Sequence, residues 1–415
     1  MYPRRMTPIV KEMLSAFRIV YLTGPRQAGK TTMAQSIAKD LDMDYLTLDN
    51  PAIRASAESD PRGFIQSLGD RCAVLDEFQY TPDLIPAIKE ASDNLRNKKG
   101  KFLLTGSADI FRSAQTQEAL PGHMARLELL PLSLSEMSDQ ALNIVDYLLE
   151  GNFQPKQGAS FNQAMMAEKV LFGGYPEPQS KSPRTRRMWY QSYTEGRLLK
   201  DFENLYAARG DYHSKLKAMM PCLAGLSGNL LKYSNIANDL ELNDKLVKSY
   251  VEIMELMFIV KRVPSYLKNR SKRLVVNMPK IHYVDTGLAC HLLGLRTKEQ
   301  LLNSQFYGGL LESFVFMEFC KQRGWANEEV GLYHFRDKRQ HEVDIVLERD
   351  NGQVIGVEVK AAATVKTQDF KGLSKLAAFS GSLFESGVLF YTGEDILPFM
   401  IEGHRYYALP LSLLT

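Results

Sequence analysis

The stretch Phe17-Arg-Ile-Val-Tyr-Leu-Thr-Gly24-Pro25-Arg26-Gln27-Ala28-Gly29-Lys30-Thr31-Thr32 decides the fold. Its first six residues read as a buried strand, and Thr31 to Leu41 as a helix. Between them stands G-x-x-x-x-G-K-[ST], directly after the strand and directly before the helix. The spacing has a mechanical reason. Gly24 and Gly29 let the chain curl, so that successive backbone N–H groups face inward as an anion cradle. The helix beginning near Lys30 adds the positive end of its dipole. Lys30 is placed to reach the β- and γ-phosphates, Thr31 to hold Mg²⁺, and Thr32 lies beside them. The expected ligand of residues 24–32 is therefore ATP with Mg²⁺.

The second half of such a site is a strand ending in acids, and Ala73-Val-Leu-Asp76-Glu77 supplies it. Asp76 would stand in the outer shell of the metal, and Glu77 would polarise the attacking water. Tyr45-Leu-Thr-Leu, Cys72-Ala-Val-Leu and Lys101-Phe-Leu-Leu-Thr complete the run of strands. Strands separated by helical segments predict a parallel sheet with crossovers, an α/β fold. Thr105-Gly-Ser107 ends the last of them: Ser107 senses a γ-phosphate, or the three residues simply turn the chain.

Composition bounds the rest. The chain has 415 residues, which favours several folding units, with 45% hydrophobic and 24% charged residues. Such values exclude wholesale disorder and collagen-like repetition. Lys plus Arg number 51 against 48 Asp plus Glu, a net of +3, so any nucleic-acid contact must come from local patches. Cys72, Cys222, Cys290 and Cys320 form no CxxC pair, which argues against structural zinc or a disulfide framework and suits the cytoplasm. No apolar run reaches membrane-spanning length, and Met1-Tyr-Pro-Arg-Arg begins no signal peptide, so no membrane partner is expected.

Gly24–Thr31, Asp76-Glu77, Thr105-Gly-Ser107 and Pro131-Leu-Ser-Leu-Ser-Glu136 together resemble the prokaryotic AAA-type ATPases that carry a C-terminal DUF4143 domain. The resemblance continues through Gly173-Gly-Tyr-Pro-Glu177, Tyr283-Val-Asp-Thr-Gly287 and Glu342-Val-Asp344…Val357-Glu-Val-Lys360, nearly the whole chain. It implies an ATP-binding domain, a winged-helix-like middle and a nuclease-like end. Two positions depart from the family pattern. Leu120-Pro-Gly-His123 replaces Leu-x-Gly-Arg, and Lys200-Asp201 replaces Arg-Asp. A histidine poorly replaces an arginine that neutralises transition-state charge, although Arg126 lies three residues on. ATP binding is thus the firmer expectation and fast hydrolysis the weaker.

In the middle, Tyr233 to Leu240 reads as a short helix, Glu241-Leu-Asn243 as a turn, and Asp244 to about Met257 as a second helix with Leu246, Tyr250, Ile253 and Met257 on its apolar face. This is a helix-turn-helix pattern, with Lys245, Lys248 and Ser249 outward. Phe258–Val263 and Leu274–Val276 then read as a hairpin wing, whose Lys268, Arg270, Lys272 and Arg273 would contact DNA phosphates. Binding of an unidentified protein is the competing role for the same surface. Lys181, Arg184, Arg186 and Arg187 read as a solvated helix start.

At the end, two-residue spacing puts Glu358 and Lys360 on one strand face, and Glu342 and Asp344 repeat it on the preceding strand across an Asp350-Asn-Gly352 turn. Asp344 and Glu358 would ligate one Mg²⁺, while Lys360 orients or deprotonates a water for phosphodiester cleavage. Glu312 would be an additional ligand, and His341 reads as a surface histidine. The pattern resembles the PD-(D/E)XK nuclease signature. The expected division is an ATPase domain at 1–136, a helical linker or lid at 137–215, a winged-helix-like domain at 216–300 and a nuclease-like domain at 301–415. Residues 137–166 are polar and weakly patterned, and the chain carries no signal for one oligomeric state.

Overall fold

Short apolar runs become a parallel sheet when both of their faces are covered by helices. That is the fate of the runs in the first third of the chain. The computed structural model describes residues 2–94, 98–108, 124–153, 162–199, 201–202, 212–268 and 278–415. Strands β1 (Ile19–Thr23), β2 (Asp44–Thr47), β3 (Ala73–Asp76), β4 (Phe102–Gly106) and β5 (Met124–Glu128) are all parallel, in the order β2-β3-β4-β1-β5. Every residue of β1, β3 and β4 is buried. The crossover helices pack Ile65, Phe78 and Ile88 against Tyr21, Leu75 and Leu104. Each such buried side chain contributes about 1.5–3 kcal/mol. Four of these strands match the apolar runs. The fifth, Met-Ala-Arg-Leu-Glu, was not anticipated because it is an edge strand with one fully buried residue.

One consequence of this order positions the site. β4 lies between β1 and β3, so Thr105-Gly-Ser107 comes to rest between the loop that follows β1 and the acids that end β3.

The chain divides into two compact units, Met1–Leu132 with Leu256–Phe258, and Ser133–Glu255 with Ile259–Thr415. The second unit holds the helical middle and the C-terminal sheet. Within the polar segment expected to be a linker stands a helix, Ile144–Glu150, capped by Asn143 and burying Ile144, Val145 and Leu148. Its signal was local: an Asn cap followed by Ile-Val-x-x-Leu-Leu.

In the middle, helices Tyr233–Asp239 and Asp244–Leu256 form the expected pair, and the Asn243 carboxamide accepts the Lys245 N–H at 2.8 Å. The buried face of the second helix carries Val247, Tyr250, Val251, Ile253 and Met254; of the expected face Tyr250, Ile253 and Met257 are buried, and Leu246 is half-buried. β6 (Asn229–Leu230), β7 (Val260–Val263) and β8 (Lys280–Tyr283) form a sheet in the order β6-β8-β7. The return strand expected at Leu274–Val276 lies outside the described residues; β7 pairs antiparallel with β8, Val263 opposite Lys280.

The C-terminal sheet has the order β13-β14-β12-β11-β10-β9, mixing parallel and antiparallel pairs. Its strands are β9 (Val330–Arg336), β10 (Glu342–Arg349), β11 (Val354–Val359), β12 (Phe384–Tyr391), β13 (Leu397–Ile401) and β14 (His404–Pro410). β10 and β11 are the anticipated hairpin, with Ile345 opposite Val357. Helix Lys371–Ser380 packs Leu373 and Leu376 into a core with Val346, Leu389 and Tyr406. Among the described residues, no helix is long and apolar enough to cross a membrane.

Candidate nucleotide site and a buried carboxylate cluster

The loop after β1 has the shape its glycines permit. Gly24 has φ +150°, and a Cβ there would stand 2.1 Å from the Leu129 carbonyl oxygen; Gly29 has φ +100°. Gln27, which has a side chain, is also left-handed at φ +62°, a conformation that costs energy and recurs at ligand clamps. The Lys30 ammonium is 5% exposed and donates to the carbonyls of Gly24 and Pro25, each at 2.8 Å. It is thus held on the loop itself, by acceptors that phosphate oxygens can replace. Ala28 is buried and Thr32 exposed. Arg26 donates to the Tyr80 hydroxyl at 2.7 Å.

One partner of this loop escaped the sequence reading. Arg4 donates to the Ala28 carbonyl at 2.5 Å and to the Leu130 carbonyl at 2.6 Å. It lies before the first strand, where no motif marks it.

Asp76 is buried at the end of β3 and collects three hydroxyls. Thr31 donates at 3.0 Å and Tyr45 at 2.6 Å, and Thr105 is the third donor. Burial first, and then the Asp76 carboxylate, hold the Tyr45 phenol well above its usual pKa, so it stays a donor. A threonine hydroxyl facing a carboxylate is a donor set that suits Mg²⁺, the hydroxyl as ligand and the carboxylate through water. Glu77 is left-handed, φ 57° and ψ 41°. Its carboxylate accepts from the Gln79 carboxamide and lies 3.5 Å from the Ser107 hydroxyl. Ser107 therefore stands beside Glu77, and Gln79 is a site residue that sequence reasoning missed. His123 lies outside the described residues. Arg126 sits in β5 opposite Tyr21, two positions short of the strand end.

The C-terminal acids also come together, with an unforeseen companion. Lys280, the first residue of β8, is 2% exposed. Its ammonium stands 2.7 Å from Glu312 and 3.2 Å from Asp344. Asp344 also accepts the Val359 N–H at 3.0 Å, and Glu358 stands close enough to be repelled by it. Burial, then repulsion by Asp344, pushes the carboxyl groups of Glu312 and Glu358 well above their usual range. Burial lowers the pKa of Lys280, but Asp344 and Glu312 outweigh it and raise it above its usual value. Asp344, one half of the expected Mg²⁺ pair, thus already holds a cation that it shares with Glu312. Among the described residues, no group of three or more His, Cys, Asp or Glu is arranged to hold a metal ion. The donor set does not fit Mg²⁺ while the ammonium is in it. Lys360, just past β11, stands 3.9 Å from Asp369. His341 pairs with Asp337 at 2.8 Å.

Of the basic stretch, Lys268 is exposed, its ammonium 5.6 Å from the centre of the Phe379 ring. Arg270, Lys272 and Arg273 lie outside the described residues. Arg262 is committed internally, to Glu255 at 2.6 Å and the Tyr233 hydroxyl at 3.0 Å. Lys245 and Lys248 are exposed on the second helix.

Two of the quoted motifs meet in one joint. Buried Asp285 accepts the N–H groups of Gly174 at 2.7 Å and Leu288 at 2.8 Å, and the Tyr190 hydroxyl at 3.0 Å. Gly173–Glu177 and Tyr283–Gly287 are therefore the two halves of a structural clasp. Likewise Ser133 and Glu136 form a capping box, and Glu318 accepts the Leu134 N–H at 2.9 Å.

A family model for the AAA domain matches residues 16–138. Models for two domains of unknown function, DUF8612 and DUF4143, match residues 163–299 and 307–414. Uncharacterized proteins of Mycobacterium bovis and Mycobacterium tuberculosis are each 26% identical over 347 residues, 83% of this chain and 71% of theirs. Among solved structures, a Walker-type ATPase of Pyrococcus abyssi is similar at 13% identity and TM-score 0.44, over 70% of this chain and 96% of that one. The AMPPCP-bound DnaA of Aquifex aeolicus is similar at 14% identity and TM-score 0.28, over 60% and 86%. With a glycine-shaped loop set in a parallel sheet, the chain carries an AAA domain near its start and a DUF4143 domain at its end, the arrangement of the AAA-type ATPases with a C-terminal DUF4143 domain.

Proposed function

We propose that the protein binds Mg·ATP at Gly24–Thr31 and hydrolyses it, coupling its nucleotide state to the binding of nucleic acid. The hydrogen bond from Thr31 to Asp76 at 3.0 Å carries the first part, because it joins the loop's helix to the acid-tipped strand in one metal-competent pair. The backbone N–H groups of the loop and Lys30 bind the phosphates. Thr31, with Asp76 behind it, would hold Mg²⁺, which would neutralise phosphate charge there. Glu77 orients the attacking water and accepts its proton, and Ser107 and Gln79 hold that carboxylate beside the γ-phosphate position. Titration with a fluorescent ATP analogue tests the assignment. Lys30→Ala should lose binding, and Glu77→Gln should keep it while turnover falls by about a hundredfold or more. Equal affinity of the wild type and Lys30→Ala would sink it.

The second part rests on the helix pair Tyr233–Asp239 and Asp244–Leu256 followed by the β7–β8 hairpin, which we read as a winged helix. Exposed Lys245 and Lys248 line its second helix, and Lys268, Arg270, Lys272 and Arg273 supply the phosphate contacts. Replacing those four by Ala should flatten the slope of log K against log salt by roughly two to four. An unchanged slope in the folded variant would favour a protein partner for this surface instead. Cleavage forms no part of the proposal, because Asp344, which it would use, is already paired with Lys280.

A further inference from the structure

Asp344 and Glu358 sit on the hairpin of the C-terminal sheet, and Glu312 on helix Tyr307–Arg323. Three carboxyl groups brought together out of water repel one another and demand a cation. In an enzyme that cuts phosphodiesters the cation is divalent, with six oxygen ligands at about 2.1 Å for Mg²⁺, most of them exchangeable waters. Here the demand is met covalently. Lys280 comes from a different sheet, 32 residues before Glu312 and 64 before Asp344, and threads its four-carbon stem into the cluster. Its ammonium carries one charge, makes contacts at 2.7 and 3.2 Å, and is 2% exposed. An ammonium cannot polarise a phosphoryl oxygen as a Lewis acid, nor does it convert a bound water to hydroxide. A second cation beside it would be repelled at a distance where screening by water is absent.

We propose that Lys280 is the resident cation of this cluster: it fills the place of a divalent ion, excludes Mg²⁺ and leaves the C-terminal domain without phosphodiesterase chemistry. Glu312 and Asp344, the two carboxylates on its ammonium, are then latent ligands for a divalent ion, and one side chain keeps them occupied. The proposal stands apart from the ATP assignment, since all four residues lie in the second unit and the phosphate loop lies in the first.

Mn²⁺, followed by its electron paramagnetic resonance in nucleotide-free protein, tests this. The wild type should show no Mn²⁺ binding that depends on Asp344. Lys280→Ala should gain one site, at least about tenfold tighter than any site of the wild type, because two carboxylates lose their internal counter-ion. Lys280→Ala with Asp344→Asn should lose that site again. Mn²⁺ should also raise the melting temperature of Lys280→Ala and leave that of the wild type unchanged. Should Lys280→Ala fail to fold alone, folding restored by Mn²⁺ supports the same conclusion, and Lys280→Ser repeats the titration with a smaller cavity. Asp344-dependent Mn²⁺ binding in the wild type overturns the proposal. So does a folded Lys280→Ala or Lys280→Ser that binds no Mn²⁺.

Discussion

The carboxamide of Gln79 is bound to Ser107 at both of its ends: its Nε2 lies 2.9 Å from the Ser107 hydroxyl, and its Oε1 accepts the Ser107 N–H at 3.1 Å. The same Nε2 meets the Glu77 carboxylate. One side chain thus ties the tip of β3 to the tip of β4, on the side of the sheet where the phosphate loop opens. The hydrogen bonds of Gln79 run to Glu77 and Ser107, so under the proposed ATPase reading it is a positioning residue for both. Gln79→Ala should lower ATP turnover by about tenfold while leaving Mg·ATP affinity within about twofold. Gln79→Glu should be worse, because it sets a second carboxylate against Glu77. Turnover and nucleotide affinity measured on both variants check this, and an affinity loss as large as the turnover loss would place Gln79 in binding instead.

Arg4 offers a second test, of the loop rather than the acid. Its two short bonds staple the carbonyl of Ala28, inside the phosphate loop, to that of Leu130. Hydrogen bonds from a charged donor contribute about 1.5–3 kcal/mol each. Arg4→Ala should therefore weaken Mg·ATP binding by roughly tenfold or more, through a loop that is no longer pre-shaped, and Arg4→Lys should recover only part of it because an ammonium lacks the guanidinium fork. Unaltered affinity in Arg4→Ala would confine the residue to packing.

What could be read in advance divides by range. Gly24–Thr31 and Asp76-Glu77 announce themselves because each motif is contiguous and its chemistry needs neighbours within one turn. The same holds for the β10–β11 hairpin, whose acids alternate along two adjacent strands. Arg4 and Lys280 were invisible for the opposite reason. Arg4 finds Leu130 from 126 residues away, and Lys280 finds Asp344 from 64. A lone basic residue in a basic stretch carries no mark of being buried. Asp285 shows a third case, where Tyr-Val-Asp-Thr-Gly stood out as a motif while its chemistry is a helix cap and a clasp.

That clasp is testable by stability. Asp285→Ala leaves the buried N–H groups of Gly174 and Leu288 without an acceptor, at about 1–3 kcal/mol each. Tyr190→Phe removes one hydroxyl that bridges Asp285 and the Phe172 carbonyl, and should cost about 1 kcal/mol. Trp189 and Trp325 both lie in the second unit, so tryptophan fluorescence during urea unfolding reports on that unit alone. A loss in Asp285→Ala no larger than that in Tyr190→Phe would mean that water takes over both amides.

The last test uses acid. His334 is 1% exposed in β9, and its Nε2 lies 3.2 Å from the Met278 carbonyl. Burial, and then the nearby Lys280, push its pKa down to about 4; the Met278 carbonyl and Asp344 act in the opposite direction and Arg336 in the same one. In the unfolded chain a histidine titrates near 6.5. Between those two values the unfolded state binds the extra proton, so stability rises with pH there. The contribution of a neutral His334 is fully present above about pH 6.5 and drains away as pH falls toward 4, a loss of about 3 kcal/mol. Glu312 and Glu358, whose pKa values are raised, work in the other sense, so each pH must be compared between proteins. His334→Gln keeps a donor for Met278 and removes the titration. Relative to the wild type it should gain about 2–3 kcal/mol between pH 7 and pH 4.5, read from urea midpoints by tryptophan fluorescence. If the gap between the two proteins is the same at both pH values, His334 takes up its proton in the fold as readily as in the unfolded chain, and neither burial nor Lys280 holds it neutral.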